Sequence, residues 1–112
     1  MQLHKLLDND PADFALTHKG KVEAMVEVKC RTCDKRRFDT YLISTNKLRR
    51  LKRAAKASRC LPILLVEWTD ALAYIIITDA NYKVALGGRD DRCDLYDREP
   101  VAHLPIRLFV EC

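Results

Sequence analysis

Three successive residues, Glu27-Val28-Lys29, could do chemistry in this chain, together with Asp13, thirteen intervening residues upstream. They close the apolar run Val22-Glu23-Ala24-Met25-Val26-Glu27-Val28-Lys29. If that run is a strand, side chains alternate across it, so Glu27 and Lys29 share one face. Val26, Val28 and Cys30 then share the other, which the pattern assigns to the interior, with Cys30 as a small core residue. A carboxylate beside an ammonium, with a second carboxylate arriving from an adjacent strand, can hold a divalent cation and orient a water. That is the minimal equipment for metal-assisted hydrolysis of a phosphodiester. An acid-x-Lys triplet arises by chance about once in a chain of this length. The elements around it must therefore carry the argument.

The chain has 112 residues, 48% hydrophobic and 32% charged, which suits one domain spanning residues 1–112. The charge is unevenly spread. From Asn46 to Arg59 stand seven basic residues (Lys47, Arg49, Arg50, Lys52, Arg53, Lys56, Arg59) and no acid, whereas Arg89 to Glu99 alternates in sign. Unpaired like charges at helical spacing repel and call for a compensating anion, so Lys47, Arg49, Arg50, Lys52, Arg53 and Lys56 are the expected nucleic-acid contacts. The longest apolar stretches, between Leu61 and Ile77, are interrupted by Glu67 and Asp70, so no membrane span is expected. The N-terminus lacks a secretory apolar region, and five cysteines without framework spacing suit a reducing cytoplasm, bacterial or that of a phage-infected host. Cys30-x-x-Cys33 supplies only half of a tetrahedral zinc site, and His4, His18 and His103 are isolated.

Periodicity and breakers predict the elements. Leu3–Leu7 is read as a short first strand and Asp8-Asn9-Asp10-Pro11 as a turn. Asp13–His18 and Lys21–Cys30 form two strands joined in a hairpin at Lys19-Gly20, and residues 31–39 a loop. Tyr41-Leu42-Ile43 is a short apolar segment, and Ser44, Thr45 or Asn46 caps a helix running to about Ser58. Leu48, Leu51, Ala54 and Ala55 face inward, the basic residues outward, and Leu61-Pro62 ends the helix. Ile63–Trp68 and Leu72–Thr78 read as central strands turning at Thr69-Asp70. Residues 80–99 read as irregular, with Gly87-Gly88 a flexible point and Arg89 to Glu99 an exposed, self-paired loop, before Val101–Val110 returns along the sheet. Trp68, Tyr74, Phe14 and Phe109 are assigned to the core. A strand, a helix and a second strand of the same sheet imply a right-handed crossover with the helix over one face.

On these residues the chain resembles a known family. Asp13 … Glu27-x-Lys29, then Tyr41-Leu42-Ile43-Ser44, a Lys-bearing helix and Leu61-Pro62-Ile63-Leu64-Leu65-Val66 look like the PD-(D/E)XK nuclease superfamily. The likeness is greatest to small restriction-endonuclease-like and Holliday-junction-resolvase-like proteins of phages and prophages. Pro11-Ala12-Asp13 stands where the family's Pro-Asp is often degenerate, and residues 88–92 through His103-Leu104-Pro105-Ile106 are similar to tails of phage members. The resemblance implies an α/β fold, a small mixed central sheet with a crossover helix after the motif strand. The family's N-terminal helix would be missing or reduced, too little sequence preceding Asp13 to form it.

It further implies that Asp13 and Glu27, with the backbone carbonyl of Val28, bind Mg²⁺ or Mn²⁺, hard cations that prefer oxygen donors and keep waters. Lys29 would position the attacking water and offset charge in the transition state, with Lys47 auxiliary. The implied activity is a metal-dependent endodeoxyribonuclease leaving 5′-phosphate and 3′-hydroxyl ends, with DNA as partner. Cutting both strands with one site per chain would favour a homodimer. Two other functions fit the same residues: a catalytically inactive nucleic-acid-binding module of the same fold, and a small interaction protein whose basic helix meets an acidic partner. Lys29→Ala separates them, since only the first predicts loss of cleavage with binding retained.

Overall fold

Period-two apolar patterning carries much of the chain into strands, and the computed structural model describes residues 2–7, 12–86 and 100–112. In chain order the elements are β1 (Gln2–Lys5), β2 (Phe14–His18), β3 (Lys21–Cys30), β4 (Thr40–Ser44), α1 (Thr45–Ala57), β5 (Leu61–Glu67), β6 (Leu72–Ile76), β7 (Lys83–Leu86), β8 (Pro100–Pro105) and β9 (Val110–Glu111). The expected turn at residues 8–11 and the flexible point and loop at 87–99 lie outside the described residues.

The β2–β3 hairpin forms where alternation predicts it. Lys19 (φ 51°) and Gly20 (φ 78°) are both left-handed, the two-residue turn whose twist matches its strands. β3 then pairs in parallel with β5, Glu27 beside Leu64 and Lys29 beside Val66, so the chain crosses over between them. The crossover holds β4 as well as α1. Six strands form one sheet in the order β1-β2-β3-β5-β6-β9, while β4, β8 and β7 form a second, antiparallel one. Two expectations change here. Residues 80–99 are not wholly irregular, because Lys83–Leu86 pairs with β8, and the return from Val101 divides: β8 joins the second sheet, and β9 caps the edge of the first.

Ser44 caps α1, its Oγ accepting from the Asn46 amide at 3.2 Å. The helix ends at Ala57, before Leu61-Pro62, which already belong to β5. The stop is a Schellman motif: the Cys60 amide donates to the Ala55 carbonyl at 2.9 Å and the Arg59 amide to Lys56 at 3.1 Å. Arg59 takes the left-handed conformation (φ 54°) this closure requires.

The core fills the space between one face of the large sheet, α1 and the small sheet. Leu64, Val66, Ala73, Ile75 and Ile77 meet Leu48 and Leu51 of the helix and Tyr41, Ile43, Ala102 and Leu104 of the small sheet. At one end Tyr41, Trp68 and Phe109 form an edge-to-face cluster, the Trp68 and Phe109 centroids 5.3 Å apart. Tyr74 and Phe14, expected in this core, are half-buried on the opposite sheet face, as register with Val110 and Val26 requires. Cys30 is likewise on that opposite face and exposed, not a core residue.

Candidate active site

Glu27 and Lys29 share a face of β3, as alternation demands, but it is the covered face, the one that Leu64 and Val66 occupy on β5. The pair sits near the C-terminal end of the strand, where the core thins and polar groups keep access to water. The Glu27 side chain is 14% exposed and that of Lys29 26%, and Lys29 Nζ lies 3.2 Å from Glu27 Oε1.

Asp13 is held beside them by its backbone. Its amide donates to the Val26 carbonyl at 3.0 Å, and its carbonyl accepts from the Leu6 amide at 2.9 Å, pinning it between β3 and the chain leaving β1. β2 pairs with β3 only as far as Phe14 opposite Val26. The next β3 amide on that edge, Val28, would lack a strand partner, and Asp13 Oδ2 accepts from it at 2.8 Å. In a strand the N–H and C=O of one residue leave the same edge. The Val28 carbonyl therefore lies on the edge that Asp13 flanks.

Cations ring these acids. The Lys29 ammonium is opposed by burial, yet hydrogen bonds with Lys47 and Glu27 and the Glu27 charge outweigh it, leaving its pKa above the ordinary lysine value. Lys47, from the first turn of α1, is pushed below it by its hydrogen bond to Lys29 and that neighbour's charge, although Glu27 and Asp13 pull the other way. Of the two, Lys29 is the one that pairs with Glu27, at 3.2 Å. Asp13, Glu27 and Lys29 thus all lie near enough to Lys47 to act on its charge.

Sequence reasoning missed two neighbours. Arg31 continues the alternation Glu27, Lys29, Arg31 and stacks its guanidinium 4.4 Å from the centroid of Tyr41, also hydrogen bonding the Tyr41 hydroxyl. Tyr41 is pushed above the ordinary tyrosine range by burial, against the charges of Arg31 and Lys29. The signal for Arg31 was present in the period of two; none marked Tyr41.

The basic helix residues do not form one surface with the acids. At about 100° per residue, Lys47 lies on one flank of the buried stripe Leu48, Leu51, Ala55, and Arg49, Lys52, Arg53 and Lys56 lie on the other. The latter four line a groove of about 860 Å³ that Tyr82 also lines. Nor do the seven cations lack an acid, for Lys52 pairs with Asp79 and its Nζ lies 2.9 Å from the Tyr82 hydroxyl. That contact raises the Lys52 pKa and lowers that of Asp79.

Among the described residues no group of three or more His, Cys, Asp or Glu side chains is placed to hold a metal. Cys30 and Cys33 are free thiols, Cys30 donating weakly to Glu67 Oε2 at 3.7 Å. No helix among them is long and apolar enough to cross a membrane.

The sequence model of a family described as "Phage putative PDDEXK endonuclease" matches residues 1–112. No curated protein sequence matches the chain. Among solved structures it is similar to Hjc, a Holliday junction resolvase from the archaeal hyperthermophile Archaeoglobus fulgidus, with a TM-score of 0.56 at 10% identity over 94% of this chain and 84% of that one. The likeness is one of fold, a restriction-endonuclease-like mixed α/β core. In this chain a strand, β1, stands before the hairpin where the family's helix was expected to be missing, and no helix precedes β2 among the described residues.

Proposed function

Because the chain belongs to this phage PDDEXK endonuclease family, we propose that it is a divalent-metal-dependent endodeoxyribonuclease. The observation that carries the reading is that Asp13, bound to the Val28 amide, and Glu27, paired with Lys29, both act on the ammonium of Lys47.

The donors suit a hard cation. Asp13, Glu27 and the Val28 carbonyl offer oxygen only, and two carboxylates without a third fit Mg²⁺ or Mn²⁺, which fill their remaining positions with water. Such an ion, when bound, would polarise the scissile phosphate and lower the pKa of a coordinated water. The chain's own residues do the rest. Lys29, paired with Glu27, donates to the phosphate as negative charge builds on it during in-line attack of water at phosphorus. The P–O3′ bond breaks, and the departing oxygen takes a proton to give a 3′-hydroxyl opposite a 5′-phosphate. Lys47, close to Lys29, adds positive charge at the same strand end. Arg49, Arg50, Lys52, Arg53 and Lys56 supply affinity through counterion release, without reading bases. The setting is the cytoplasm of a bacterium or of a phage-infected host.

The test is cleavage of plasmid and branched DNA with Mg²⁺, Mn²⁺ or EDTA, with Glu27→Ala and Lys29→Ala alongside. Metal-dependent cutting that both variants lose, with DNA binding kept by Lys29→Ala, supports the reading. Steeply salt-dependent binding without any cutting would instead make the chain a silent binding module.

A further inference from the structure

The reaction proposed above leaves Arg31 and Tyr41 without a part. The chain stays extended just past β3, because the Arg31 amide donates to the Glu67 carbonyl at 2.8 Å and prolongs the ladder with β5. Alternation then carries Arg31 to the covered face, behind Glu27 and Lys29. The Tyr41 hydroxyl lies within reach of all three, since the charges of Arg31, Lys29 and Glu27 each act on it.

Arg31 is exposed, yet its guanidinium is fixed. It lies over the Tyr41 ring, Nη2 donates to the Tyr41 hydroxyl, and Nη1 donates to the Cys30 carbonyl at 3.2 Å. Tyr41 is anchored in turn, buried opposite Leu104 of β8 and packed against Trp68 and Phe109. Both oxygens that receive these bonds are neutral, the phenol because burial pushes its pKa above the ordinary tyrosine range. The ion pairs of the described residues join Lys29 to Glu27, Lys35 to Glu111 and Lys52 to Asp79, and they leave Arg31 out. Holding an arginine this way costs rotamer entropy, for which neutral partners return little. Arginine has five N–H donors, and these contacts use only part of them. Such a guanidinium is preorganised for an anion from outside the chain.

We propose that Arg31, positioned by Tyr41, forms a second phosphate subsite, which binds the DNA backbone phosphate one link from the scissile one. That subsite rests on the nuclease reading, which puts the scissile phosphate at Lys29. From Lys29 to Arg31 the strand advances about 6.6 Å. This is comparable with one link of a nucleic-acid strand, whose phosphates rise about 3.4 Å along the axis while winding around it. Arginine suits the place. Its planar fork grips two oxygens of a phosphate that does not react, whereas the compact Lys29 ammonium can follow charge as it develops. A grip on one flank also sets which link stands before the acids.

Cleavage ladders in Mn²⁺ test it, on end-labelled DNA of the form the wild type cuts, carrying one methylphosphonate link that is neutral where the natural phosphate is charged. Wild type should lose cutting at the modified link and, by about tenfold, at the link on one side of it. Arg31→Ala should cut unmodified DNA about tenfold more slowly and show no flanking loss, because the interaction is already gone. Tyr41→Phe keeps the ring but not the hydroxyl, and its flanking loss should fall between the two. Arg31 is exposed and phenylalanine fills the Tyr41 site, so both variants should fold, which circular dichroism and thermal melting verify. A merely structural role would slow every link alike and leave the flanking loss in place. Equal flanking loss in wild type and Arg31→Ala, or none in wild type, overturns the subsite and leaves the nuclease reading standing. A wild type that cuts no form of DNA sinks both.

Discussion

Asp13 has two jobs that one pair of substitutions separates. Its Oδ2 accepts the Val28 amide at 2.8 Å on an edge that β2 does not reach, and its charge faces the site. Asp13→Ala leaves that amide to water. A charge-assisted bond at an exposed edge is worth about 1–1.5 kcal/mol, the low end for charged acceptors. For a chain of this size the melting temperature should fall by about 3–6 °C. Asp13→Asn keeps an acceptor oxygen for Val28 and loses only the charge, so its stability should stay within about 0.5 kcal/mol of wild type. Cleavage should fall on the order of 100-fold or more in both, because each leaves Glu27 as the one anionic donor of the pair. Urea denaturation and a supercoiled-plasmid assay on the same preparations give both numbers. Wild-type cleavage by Asp13→Asn would refute the assignment, and equal destabilisation by the two variants would refute the backbone role.

Three further outcomes are expected. The Lys52–Asp79 contact holds Asp79 below the ordinary carboxylate range and Lys52 above the ordinary lysine range. Its contribution should be present at neutral pH, lost on acidification as pH falls through the depressed Asp79 pKa, and lost at the alkaline end as pH rises through the raised Lys52 pKa. A carboxyl ¹³C titration of Asp79 with a midpoint at or above 3.8 would contradict this. Arg49→Glu/Arg53→Glu should weaken DNA binding regardless of sequence and lower the slope of log affinity against log salt by about two, read by fluorescence anisotropy. Trp68→Ala, in the aromatic cluster with Tyr41 and Phe109, should cost about 3–5 kcal/mol in urea denaturation.

Local features were legible in the sequence, and features that depend on distant pairing were not. The Lys19-Gly20 hairpin, the Ser44 cap and the buried stripe Leu48, Leu51, Ala55 follow from turn chemistry and a period of 3.6. Alternation also tells correctly that Glu27 and Lys29 are neighbours. It cannot tell which sheet face is covered. Hydrophobicity pointed the wrong way here, because the uncovered face carries Val26 and Val28 while the covered one carries charge at its end. The small sheet escaped for a similar reason. β4 pairs with β8 across some sixty residues, Tyr41 opposite Leu104, and nothing local announces such a partner. Asp79 reaches Lys52 from 27 residues away, so a helix that reads as uncompensated is compensated in space.

The site's own charge makes a last demand. Asp13 and Glu27 bring two negative charges, whereas Lys29, Arg31 and Lys47 crowd the same strand end. The balance is not negative, and a divalent cation approaching alone meets ammonium groups as well as carboxylates. A DNA phosphate between them changes the balance, adding negative charge where Lys29 and the cation both point. Cation and DNA should therefore bind with positive coupling, each tightening the other by the same factor. Mn²⁺ titrations followed by electron paramagnetic resonance, with and without a duplex carrying a non-cleavable phosphonate link, should show Mn²⁺ affinity rising roughly tenfold or more, within the ordinary range of coupling free energies. Lys47→Met should raise the DNA-free affinity and shrink that factor, since it removes the cation without touching a carboxylate. Equal Mn²⁺ affinity in the two titrations would mean that the acids bind their ion without help from the phosphate, and that the surrounding ammonium groups do not govern its entry.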